Sequence, residues 1–99
     1  MTDDARPLLV FFANTQSGPA RRMESLLAHL ARKERARLRV TRVDVEQRPD
    51  LAERFRVSEI PTIVLVKGKT AVARIDGRTS APKIERMLET HLGPELATV

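Results

Sequence analysis

The chain has no cysteine, no tryptophan and no tyrosine. Without cysteine it can form no disulfide, no thiolate metal site and no cysteine nucleophile. Without tyrosine it has no phenolic general acid. Its two histidines, His29 and His91, stand far apart, and no carboxylate cluster joins them at ligand spacing, so neither a metal nor another cofactor is expected. No apolar run approaches the ~20 residues that a membrane helix requires. The segment Met1-Thr2-Asp3-Asp4 is acidic and lacks the basic-then-apolar pattern of a signal peptide. A cytoplasmic protein with no membrane span is the expectation. Internal repeats, low-complexity tracts and linkers are also missing.

What remains fits one domain over residues 1–99, with a core from about residue 7 to 92 and flexible termini at 1–6 and 94–99. Hydrophobic residues make up 41% of the chain, enough for one core, and charged residues 31%. The net charge of +5 serves solubility first and attraction to anionic surfaces second.

Residues 7–13 are nearly all apolar and of strand length, the pattern of a strand covered on both faces. Asn14 to Pro19 is a loop by composition. A helix is predicted from about Pro19 to Lys33, because Met23, Leu26, Leu27 and Leu30 fall on one stripe. Ser17 or Gly18 is placed to cap it, Pro19 suits its first turn, and Arg32, Lys33 and Arg35 complement its C-terminal end. Leu38 to Val45 reads as a second strand, with a slip in alternation between Val40 and Val43. Pro49 and Asp50 open a short helix that turns Leu51, Ala52 and Phe55 inward. Thr62–Val66 and Ala71–Ile75 form a hairpin around Lys67-Gly68-Lys69. Ser80 is placed to cap a last helix carrying Ile84, Met87, Leu88 and Leu92 on one face, and Gly93-Pro94 ends it. The expected fold is α/β in the order β-α-β-α-β-β-α, a mixed four-stranded sheet with helices on both faces.

Several segments resemble the thioredoxin family, and that order is its minimal fold. Phe11-Phe12-Ala13 is similar to the strand end that leads into the thioredoxin active site. Gln16-Ser17-Gly18-Pro19-Ala20-Arg21 stands where the family has Trp-Cys-Gly-Pro-Cys-Lys. Val43 to Pro49 resembles the next strand and its turn. Phe55-Arg56-Val57-Ser58-Glu59-Ile60-Pro61-Thr62 resembles the signature that ends in Ile-Pro-Thr, and Gly77 follows the hairpin as in thioredoxins. The resemblance covers roughly residues 7 to 92, and the first strand and helix of full-length thioredoxins have no counterpart. It implies a cis bond between Ile60 and Pro61. It puts Val10 in place of the family's buried acid, with one extra residue in the following loop, and Arg42 in place of the lysine that neighbours the acid.

Disulfide exchange needs one thiolate to attack and a second thiol to resolve the mixed disulfide. Here Ser17 and Ala20 stand at those positions, and Gln16 replaces the tryptophan. A serine hydroxyl with no base beside it is not an activated nucleophile. The expectation is therefore a redox-inactive domain and not an enzyme. The resemblance leaves a groove made by the degenerate positions Gln16, Ser17, Gly18, Pro19 and Ala20 together with Glu59, Ile60, Pro61, Thr62, Arg74 and Gly77. There a peptide or protein partner would pair with backbone. Two alternatives stand beside this reading. One is a thiol–disulfide oxidoreductase on grounds of fold alone. The other is weak binding of nucleic acid or another anion through the basic stretch 32–39, which lacks a base-stacking aromatic platform because Phe11, Phe12 and Phe55 read as buried. A monomer is expected, with a homodimer as the alternative, because Lys67, Lys69 and Arg74 flank the predicted edge strand and oppose pairing.

Overall fold

A segment without a polar side can be buried only inside a sheet covered on both faces. In the computed structural model, which describes residues 6–14 and 18–93, that segment is β1 (Leu8–Ala13). The elements that follow are α1 (Gly18–Lys33), β2 (Arg39–Asp44), α2 (Pro49–Arg54), β3 (Thr62–Lys67), β4 (Thr70–Asp76) and α3 (Ala81–Leu92). The sheet runs β2-β1-β3-β4. β1 pairs parallel with β2 and antiparallel with β3, and β3 pairs antiparallel with β4. The segments expected to be flexible fall almost entirely outside the described residues, as do Gln16 and Ser17. The capping role expected of Ser17 is among the expectations that lie there.

The alternation of β1 divides the core in two. Leu9, Phe11 and Ala13 join Met23, Leu27 and Leu30 of α1 and Ile84, Met87 and Leu88 of α3. Val10 and Phe12 join Val64 on the other face, where Leu51, Phe55 and Val57 close over them. One face thus carries two helices of 16 and 12 residues, and the other a helix of six with no fully buried residue. At roughly 1.5–3 kcal/mol for each fully buried large apolar side chain, most of the hydrophobic stabilisation lies on the two-helix face.

Three sequence expectations need correction. β2 has no slip: its register with β1 is unbroken from Leu8↔Arg39 to Ala13↔Asp44. Leu38 and Val40 enter the larger core, while Val43 and Val45 enter the smaller, so the change of parity is a change of face. Phe55 is half-buried, because the short α2 leaves one side of its ring uncovered. Ser80 occupies the N-cap position of α3 with an extended backbone, but its side chain makes no capping hydrogen bond. Pro82, in the first turn, has no N–H to offer, which removes one of the two usual targets. At the far end Gly93 takes φ +83°, and its N–H donates to the carbonyl of Glu89 at 2.9 Å.

Candidate functional site

The C-terminal end of β1, the start of β3 and the end of β4 lie side by side, with Phe12 paired to Thr62 and Thr62 to Asp76. The turn into β3 is tied locally. The Thr62 hydroxyl donates to the carbonyl of Glu59 at 2.6 Å, and the Ile60–Pro61 peptide bond is cis. The carbonyl of Pro61 accepts from the N–H of Gly77 at 2.8 Å, which locks this turn to the end of β4. Between these two spent carbonyls, no hydrogen bond engages the backbone of Ile60 among the described residues.

Gly77 has φ +82°, and a Cβ there would lie 3.2 Å from a carboxylate oxygen of Glu59. Gly77→Ala is expected to destabilise by about 1–2 kcal/mol, chiefly through the left-handed backbone. The Glu59 carboxylate is the end of a flexible side chain and can yield. Urea denaturation followed by circular dichroism measures this, and an unchanged midpoint would contradict it.

The structure therefore brings Glu59, Ile60, Pro61, Thr62 and Gly77 together. Gly18, Pro19 and Ala20 open α1, and Gln16 and Ser17 lie outside the described residues. Arg74 is the remaining expected groove residue. It is committed within the chain, donating to the carbonyl of Phe55 at 2.7 Å, to that of Arg56 at 3.2 Å, and to Asp76 Oδ1 at 2.7 Å. It clamps the end of α2, whose carbonyls attract a cation, to β4. Asp76, which lies between Arg74 and Gly77 of the expected groove, is also within 3.5 Å of the Thr62 hydroxyl. The two-residue spacing of Arg74 and Asp76 puts both side chains on one face of the strand.

The position of the family's acid also shifts. Strand register sets Val10 beside Thr41 and Phe11 beside Arg42, so Val10 and Arg42 face opposite sides of the sheet. The position neighbouring Arg42 is Phe11, which is buried, and placing the acid there removes the extra loop residue that Val10 required. Arg42 itself is exposed and pairs with Glu24 at 2.5 Å.

The basic stretch 32–39 does not make one cationic face. Glu34 and Leu38 are buried within it, Lys33 pairs with Glu85 at 3.2 Å, and Arg37 Nε donates to Glu34 at 2.6 Å. Among the described residues no group of three or more His, Cys, Asp or Glu could hold a metal, and no helix is long and apolar enough to cross a membrane.

The Thioredoxin family model matches residues 1–90. The chain is 38% identical over 72 residues to a bifunctional thioredoxin reductase/thioredoxin of Mycobacterium leprae, a match covering 73% of this chain and 16% of that protein. It is 29% identical over 84 residues to the thioredoxin-like protein slr0233 of Synechocystis, covering 85% of this chain and 80% of that one. Among solved structures, the germline-specific thioredoxin Deadhead of Drosophila melanogaster superposes with a TM-score of 0.82 at 30% identity, covering 89% of this chain and 83% of the other.

Proposed function

Because the chain belongs to the thioredoxin family yet has no cysteine, we propose that it is a redox-inactive binding module. In this reading it holds an extended peptide or protein segment in the groove beside Pro61. The observation that carries the reading is the backbone of Ile60, unengaged among the described residues and flanked by the hydrogen-bonded carbonyls of Glu59 and Pro61. An amide and a carbonyl left free at the mouth of a strand offer the two hydrogen bonds by which a peptide can lengthen a sheet locally. Pro61 and Thr62 are buried and Gly77 adds no side chain, so a segment can approach the backbone closely.

Two measurements test the proposal. In an insulin-reduction assay with dithiothreitol, the protein is expected to give the rate of the no-protein control. Acceleration would overturn the redox-inactive reading. Affinity capture from lysate of the source organism, repeated with Pro61→Ala, is expected to lose partners in the variant. Equal recovery of the same proteins by both forms would count against the groove.

A further inference from the structure

Among the described residues β4 is an edge strand, paired with β3 alone, so the outward N–H and C=O groups along it are open to another strand. Two of the three cations expected to guard this edge are turned away from it, while Lys69 stays exposed in the turn before it. Lys67 donates to the carbonyl of His91 at 3.0 Å, and Arg74 folds onto Asp76 and the end of α2. A trough lies on each side of the edge. On the α2 side a cavity of about 390 Å³ is floored by Phe55, Val64 and Ala71 and rimmed by Arg54, Arg56 and Arg74. On the α3 side one of about 290 Å³ is floored by Ile75 and Met87 and rimmed by Lys83 and Arg86.

The charges around these troughs are sorted. Arg54, Arg56, Lys83 and Arg86 are exposed, and none makes an ion pair among the described residues. The acidic Glu85 and Glu89 of α3 border the cleft toward α1 instead, leaving the basic side of the helix toward β4. Arg56 takes φ +54° as the residue that closes α2: its N–H donates to the carbonyl of Glu53 at 3.0 Å and that of Val57 to Ala52 at 2.8 Å.

We propose that the outer edge of β4 is a strand-addition site for an acidic, extended segment of a partner protein. The added backbone hydrogen-bonds to β4, and successive side chains enter the two troughs alternately. Apolar residues in the middle of the segment meet the floors, and carboxylates toward its ends meet Arg54, Arg56, Lys83 and Arg86. A second copy of this chain is the wrong occupant, because two β4 edges side by side would set these cations against each other. The site is separate from the groove at Pro61, and either can fail without the other.

The test uses the full chain and the fluorescein-labelled peptide Asp-Glu-Val-Ile-Val-Glu-Asp, blocked at both ends. Fluorescence anisotropy at low salt is expected to show saturable binding. The double variants Arg54→Glu/Arg56→Glu and Lys83→Glu/Arg86→Glu, checked for unchanged circular dichroism, are each expected to weaken it about tenfold or more. Amide exchange should slow within residues 70–76, and methylating alternate peptide nitrogens should abolish binding. The proposal is overturned by no saturation up to about 1 mM peptide, by equal binding of the N-methylated peptide, or by equal binding to the charge-reversed variants. Protection at residues 59–62 in place of 70–76 would overturn it too, as would the same β4 protection by an oligonucleotide or by self-association.

Discussion

Replacing Phe12 by alanine is expected to lower the free energy of unfolding by about 4 kcal/mol. Its ring is fully buried in one cluster with Val10 and Val64, with the Phe55 ring 5.5 Å away at an interplanar angle of 51°. Removing a large buried side chain costs its transfer free energy and leaves a cavity. Collapse into that cavity is restricted here, because α2 is tied to β4 by the Arg74 clamp and cannot sink freely onto the sheet. Denaturation monitored by circular dichroism measures the loss, with Phe12→Leu expected to lose much less. Amide exchange should accelerate more in residues 49–57 than in α3. A loss below about 1.5 kcal/mol for the alanine variant would show that this smaller core is not built as described.

The second large effect is expected at Arg37. Glu34 is 6% exposed, and its carboxylate takes the Arg37 Nε–H at 2.6 Å. The same guanidinium donates through Nη1 to the carbonyl of Gly93 at 3.0 Å, joining the end of α1 to the end of α3. Arg37→Ala leaves a buried carboxylate without this cation and frees the α3 terminus, at an expected cost of about 3 kcal/mol. The penalty belongs to the stranded charge more than to the pair itself. Adding Glu34→Leu to the Arg37→Ala background should therefore recover a large part of the stability. If the double variant is as unstable as the single one, the cost lies in the contact with Gly93 and not in the buried carboxylate.

The helices and strands were legible because their apolar spacing is regular. The stripe of Met23, Leu26, Leu27 and Leu30 can serve only a helix, and the unbroken run of β1 only an inner strand. Parity in β2 was misread because one strand serves two cores, and a sequence shows the change of face as an irregularity. Glu59 to Thr62 and Gly77 were visible as a constellation through their resemblance to a known signature. Arg74 was assigned to the groove through the same resemblance, and its clamp to Phe55 and Arg56 was not legible because it depends on contacts some twenty residues away in the chain. The left-handed backbone of Arg56 left no trace in the sequence, since the residue usually favoured there is absent. The pairing of Glu34 with Arg37 hid inside a basic stretch whose composition suggests a solvated surface.

The position of β1 has a consequence for biosynthesis. It is the inner strand of the finished sheet, yet it precedes every element that covers it, and its antiparallel partner β3 follows two helices and a strand later. A ribosome releases Leu8-Leu9-Val10-Phe11-Phe12-Ala13 well before Leu65 and Val66 can pair with it. The segment has six apolar residues without charge, proline or glycine, the composition that self-associates when left unpaired. The burden of keeping the nascent chain soluble falls on the arginine-rich residues that emerge next, and on whatever factors greet the chain at the exit tunnel.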